Sequence, residues 1–110
     1  MSIMGPRLQL QSLLESILGS GNVYFQPPAN VQMQYPCIVY QRDQARTEFA
    51  GDLPYRYVQR YQVTLIDRNP DGATLEKVAA LPMCLYNRGY AADGLNHDVF
   101  SLYYEGVKQT

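Results

Sequence analysis

The chain has 110 residues, 46% of them apolar and 17% charged, with a net charge of -1. That length bounds a single domain over residues 1–110, able to remove roughly 65% of its unfolded surface from water. The apolar content excludes disorder over most of the chain, and the charge balance excludes a phosphate-gripping nucleic-acid binder.

Leu10, Leu13, Leu14, Ile17 and Leu18 recur at helical spacing, with Gln9, Ser12, Glu15 and Ser16 on the other side. Pro6 suits the first turn and Gly19-Ser20-Gly21 the stop, so a helix is predicted over residues 6–18. Leu8 falls on the polar face. It is either an ordinary exposed leucine or a point where another subunit touches.

"NVYFQ" (22–26) reads as a short strand halted by Pro27-Pro28, which cannot donate to a ladder. "YPCIVY" (35–40) is a second strand, its early Pro36 marking an edge position or a strand start. From Tyr57 to Ile66, Tyr57, Tyr61, Val63 and Leu65 alternate with Arg60, Gln62 and Thr64, the pattern of an antiparallel sheet with one wet face.

Between these two strands runs "QRDQARTEFAGDLPYR" (41–56), too long for a tight turn. Connections of this length without their own structure are uncommon in small domains and are functional or disordered. Arg42, Asp43, Arg46, Glu48, Asp52 and Arg56 nearly balance in sign, and Phe49, Leu53 and Tyr55 add apolar groups that a free loop does not need. Two readings stand: a mobile hairpin tip, or an arm ordered against a neighbouring subunit, with charges setting register and apolar groups anchoring.

"DRNPDGA" then turns the chain, with Asn69 able to cap and Pro70 to open a helix whose Leu75, Val78 and Ala79 face inward, closed by Leu81-Pro82. "MCLYNRGY" and "HDVFSLYY" are strands joined through "AADGLN", where Asp93-Gly94 tolerates positive φ. Residues 105–110 form a loose tail. The fold expected is α+β: an antiparallel sheet of four to five strands, two helices on one face and a long β-hairpin arm.

Signals for chemistry are sparse. His97 and Asp98 are strand neighbours and point to opposite faces, so they do not form a base–orienter pair. His97 reads as a structural or surface residue, with catalysis and an interface role as alternatives. Asp67, Asp71 and Asp93 sit at turns, where carboxylates satisfy local amides. No phosphate loop, dinucleotide fingerprint or nucleophile elbow is found. Cys37 and Cys84 read as reduced buried thiols of a cytoplasmic protein, with a disulfide or metal pair as the alternative. No apolar run spans a bilayer, no secretory leader is expected, and no enzyme activity, cofactor or metal is expected. Ten tyrosines without a tryptophan suit strands, and they equally suit half-wet interfaces.

The order "LQ..L" helix, "NVYFQPPANVQMQYPCIVY", arm, "RYQVTLIDRNPD", helix and closing "LNHDVFSLYY" resembles the tail terminator (tail completion) proteins of long-tailed bacteriophages. The similarity spans residues 7–104. It rests most on Val23–Pro28, Tyr35–Tyr40, Gln62–Pro70 and Leu95–Tyr104, which are patterns of fold and carry no catalytic signature. The resemblance implies a homo-oligomeric ring, typically of six subunits, at the head-proximal end of the tail tube. Such a ring ends tube polymerisation, offers the head–tail joining surface and lets DNA pass through its lumen without gripping it. The implied partners are the tail tube protein and a head–tail connector or stopper. The implied location is the virion, after synthesis in the bacterial cytoplasm. On this reading Arg42, Arg46, Glu48, Asp52 and Arg56 pair across subunits, beside Asp43, while Phe49 and Tyr55 pack there. The rivals are a connector or stopper component and a small bacterial protein-binding adaptor using a Tyr-rich sheet face.

Overall fold

Helix α1 (Pro6–Leu18) occupies the span its leucine spacing predicts. Pro6 opens it, and Gly19, at φ 83°, closes it by donating its amide to the Glu15 carbonyl at 2.9 Å. Only a residue free of a Cβ adopts that left-handed cap without strain. The structure, a computed structural model, describes residues 5–50 and 53–105, with residues 46–50 and 53–57 placed by backbone alone. After α1 come β1 (Val23–Phe25), β2 (Cys37–Ala50), β3 (Leu53–Asp67), α2 (Ala73–Ala79), β4 (Cys84–Ala92) and β5 (Leu95–Tyr104).

The five strands form one sheet in the order β1-β2-β3-β5-β4. The fold is α+β and the sheet is mostly antiparallel, with β1 as the exception: it pairs parallel to β2, Val23 opposite Ile38 and Phe25 opposite Tyr40. The connection through residues 26–36 carries the chain back so that it enters β2 in the direction it left β1, the long return a parallel pair requires. Pro36 precedes β2 and marks its start; β2 is interior, between β1 and β3.

Both helices lie on one face, and the core sits between them and the sheet. Leu10 and Leu14 of α1 and Val78 of α2 meet Ile38, Tyr40, Tyr61, Val63, Leu65, Phe100 and Leu102. Register places Ile38 opposite Leu65, Tyr40 opposite Val63, Val63 opposite Phe100 and Tyr61 opposite Leu102, so strand alternation delivers every one of these strand side chains to the same face. Burying each contributes about 1.5–3 kcal/mol before chain entropy is counted. The opposite face carries half-buried Gln62 and Thr64, yet it is not wet throughout: Cys37, Ile66 and Val99 are buried.

Helix α2 starts later than Asn69 suggests. Gly72 occupies the cap position, while Asn69 accepts from the Asp71 amide and Asp67 accepts from the Asn69 amide, both at 3.0 Å. Two consecutive side-chain turns take up the polar groups that would otherwise have opened a helix. Val78 faces inward and Leu75 packs against the core, but Ala79 is exposed. The final hairpin is tighter than expected: β4 and β5 are joined by Asp93-Gly94 alone, at φ 55° and 74°. Asp52 and the tail residues 106–110 lie outside the described residues.

Candidate functional site

Three surface features carry the chemistry of this chain, and the first is the arm. β1 stops opposite Tyr40 and β5 stops opposite Gln59, yet β2 and β3 stay paired out to Ala50 and Leu53. Beyond those points the excursion is a two-stranded ribbon, not an unstructured loop. A ribbon without a third strand has both edges open and gains little stability by itself. Its base is marked by a bulge: Arg42 pairs with Tyr61 and Gln44 with Arg60, leaving Asp43 as the extra residue. Such an insertion bends the strand and re-aims the ribbon beyond it. Here it is held by Arg60, which meets the Asp43 carboxylate at 2.8 Å and 3.1 Å, and by the Gln59 amide donating to the Gln44 carbonyl at 2.6 Å. Asp43 is therefore engaged within its own chain. Arg46, Glu48, Phe49, Tyr55 and Arg56 all fall on the ribbon, with Glu48 the register partner of Arg56.

The second feature is a cleft of about 500 Å³ between the start of α1 and the base of the arm. It brings together Leu8 and Arg42, distant in sequence, with Arg7, Gln59 and Tyr104. Leu8 is 45% exposed there. Arg7 lies 4.6 Å from the Phe25 ring centroid and Arg42 5.5 Å from it, so one ring supports two guanidiniums. Arg7 also donates to the Tyr40 hydroxyl at 3.5 Å, and that hydroxyl donates to Gln11 Oε1. Among the described residues neither arginine has a carboxylate partner. Arg7 escaped the reading of the sequence. The signal was present, because a cation in the first turn opposes the helix dipole and needs another reason to be there.

The third feature is β4, the edge strand beside β5, exposed along its whole length after Cys84. Leu85 is 67% exposed, and Met83, Tyr86 and Tyr90 are exposed with it. Tyr86 packs edge-on against Phe100 at 5.3 Å and donates to the Asp98 carboxylate at 2.9 Å. That bond, joined by partial desolvation and the carboxylate's charge, pushes the Tyr86 phenol up. Gly89 makes the bond possible, since a Cβ there would collide with the Tyr86 hydroxyl and crowd Asp98 Oδ1 at 3.0 Å. His97, on the opposite face, stacks on Tyr90 at 4.6 Å, its Nδ1 3.3 Å from the Leu95 carbonyl. His97 and Asp98 are thus committed to different partners on different faces.

Cys37 and Cys84 are free thiols. Burial raises the pKa of both, Cys37 to about 11. Among the described residues no group of three or more His, Cys, Asp or Glu could hold a metal ion, and no helix is long and apolar enough to cross a membrane. No family model matches the sequence, and no characterised protein is significantly similar to it.

Proposed function

We propose that this chain is a structural assembly protein whose copies form a ring that caps a tube, as the tail terminators it resembles do at the head-proximal end of a phage tail. The observation that carries the reading is the ribbon arm: among the described residues, paired backbone extends past every other strand of the sheet, with no third strand on either edge and with its base stiffened by Arg60 and Gln59. Such an arm has no neighbouring strand along those edges among the described residues and suits a second copy or the adjacent tube ring. In the proposed assembly Arg42, Arg46, Glu48, Asp52 and Arg56 pair across the contact, and Phe49 and Tyr55 pack in it. The tube protein and a connector or stopper occupy the two faces of the ring, and DNA crosses the lumen.

Mass measurement in solution and negative-stain imaging test the reading directly, with closed rings expected. Deleting residues 44–52 is expected to leave a folded monomer that neither closes rings nor caps tubes. Rings from the deleted protein would reduce the arm to decoration. A second reading, a monomeric adaptor, is favoured by β4, whose open edge and exposed Met83, Leu85, Tyr86 and Tyr90 suit an added strand. It predicts a single chain at micromolar concentration.

A further inference from the structure

The two ends of the sheet carry opposite charge. At the arm end, Arg7 and Arg42 line the cleft, each also lies over the Phe25 ring, and neither has a carboxylate partner among the described residues. β3 then runs from Gln59, opposite Tyr104, to Asp67, opposite Asn96. Those eight steps of about 3.3 Å place the far end about 26 Å away. There the consecutive turns Asp67–Asn69 and Asn69–Asp71 hold the chain in a fixed shape. Asp71 is exposed, and its carboxylate has no partner among the described residues.

We propose that the cleft docks the Asp67–Asp71 turn of a second copy, with the Asp71 carboxylate seated between Arg7 and Arg42. The proposal rests on the ring reading and names the contact that gives the ring its direction. Charge complementarity selects the occupant. A guanidinium already held over a ring loses less freedom when it binds a carboxylate, and both arginines line the one cleft. Cleft and turn are different surfaces at opposite ends of one sheet. The contact is therefore head-to-tail and repeats from copy to copy, giving a ring where the rotation between copies closes.

The test uses the full chain carrying Arg42→Glu or Asp71→Arg, followed by light scattering after size exclusion at low salt. Circular dichroism and thermal melting identify any variant that fails to fold. Arg42→Gln and Asp71→Asn then replace the reversals. Each variant alone is expected to lose ring assembly. Mixed in equal amounts, the two reversals offer the original pair in one direction and the swapped pair in the other, so the mixture is expected to regain assembly, whereas Arg42→Gln mixed with Asp71→Asn keeps only one intact contact and is expected to stop at a heterodimer. The double variant Arg42→Glu/Asp71→Arg is expected to recover higher assemblies. Variants that assemble like the unaltered protein would overturn the docking and leave the ring reading standing. Loss with Arg42→Glu but not with Asp71→Arg would overturn Asp71 as the occupant, as would a mixture that stays monomeric. An unaltered protein that stays monomeric at every concentration would overturn both the docking and the ring.

Discussion

Tyr40 is the largest of the fully buried side chains, and it joins the helix layer to the sheet. Its hydroxyl donates to Gln11, and the Gln11 amide donates onward to the Val23 carbonyl at 2.9 Å, so one short chain of hydrogen bonds links α1, β1 and β2. Tyr40→Phe strands Gln11 Oε1 and is expected to cost about 1–1.5 kcal/mol, read as a thermal midpoint lower by several degrees. Cys37 makes a pH-dependent contribution. Burial lifts its thiol from an ordinary 9.0 to about 11, so between those values the folded chain keeps a proton that the unfolded chain has lost. Stability from this group is complete below pH 9 and falls as the pH climbs to 11. Tyr40 and Tyr104, raised chiefly by burial, act in the same direction at higher pH. Melting temperature is expected to hold from about pH 7 to 9 and decline beyond, less steeply in Cys37→Ala.

Among the elements, the β4–β5 hairpin and the arm make opposite demands. The hairpin is local: Asp93 and Gly94 both take positive φ, matching the right-handed twist of the strands they join. Space is not the limit at Gly94, since an added Cβ would meet nothing within 4 Å. The backbone is. Gly94→Ala is expected to cost about 1–2 kcal/mol in a denaturant titration, with the slope unchanged. The arm lies outside the core, which draws on β2 through Ile38 and Tyr40 and on β3 from Val58 onward. Removing residues 44–52 leaves Ile38, Tyr40, Tyr61 and Val63 in place and takes from the core's margin only Arg46, the register partner of buried Val58. Its expected phenotype is lost assembly at nearly unchanged stability, which sets an interface element apart from a folding element.

For the whole molecule, the proposed docking implies a polar subunit. A basic cleft at one end and a fixed acidic turn at the other make a subunit that can follow itself head to tail, and exposed charge pairs of this kind weaken with salt. Assembly is accordingly expected to loosen between low and high ionic strength, as a scattering series would record. Individually such pairs contribute little, so in the proposed assembly the charges select direction and apolar groups such as exposed Leu8 are expected to supply the affinity.

Features written in local periodicity were legible from the residues alone. Leucines at i, i+3, i+4 and i+7 specify α1 because a helix turns about every 3.6 residues. Asp93-Gly94 specifies its turn because few other residue pairs tolerate two positive φ angles. Alternation along β3 names the core face because strand side chains alternate. Neighbour choice is different. Alternation tells which way Tyr61 or Leu85 points but not which strand lies alongside, and pairing partners are set by contacts far apart in the chain. Parallel β1, the exposed edge at β4, the late start of α2 and the meeting of Arg7 with Arg42 across Phe25 therefore emerge only when the sheet assembles. Each depends on a long-range register that no short window of residues encodes.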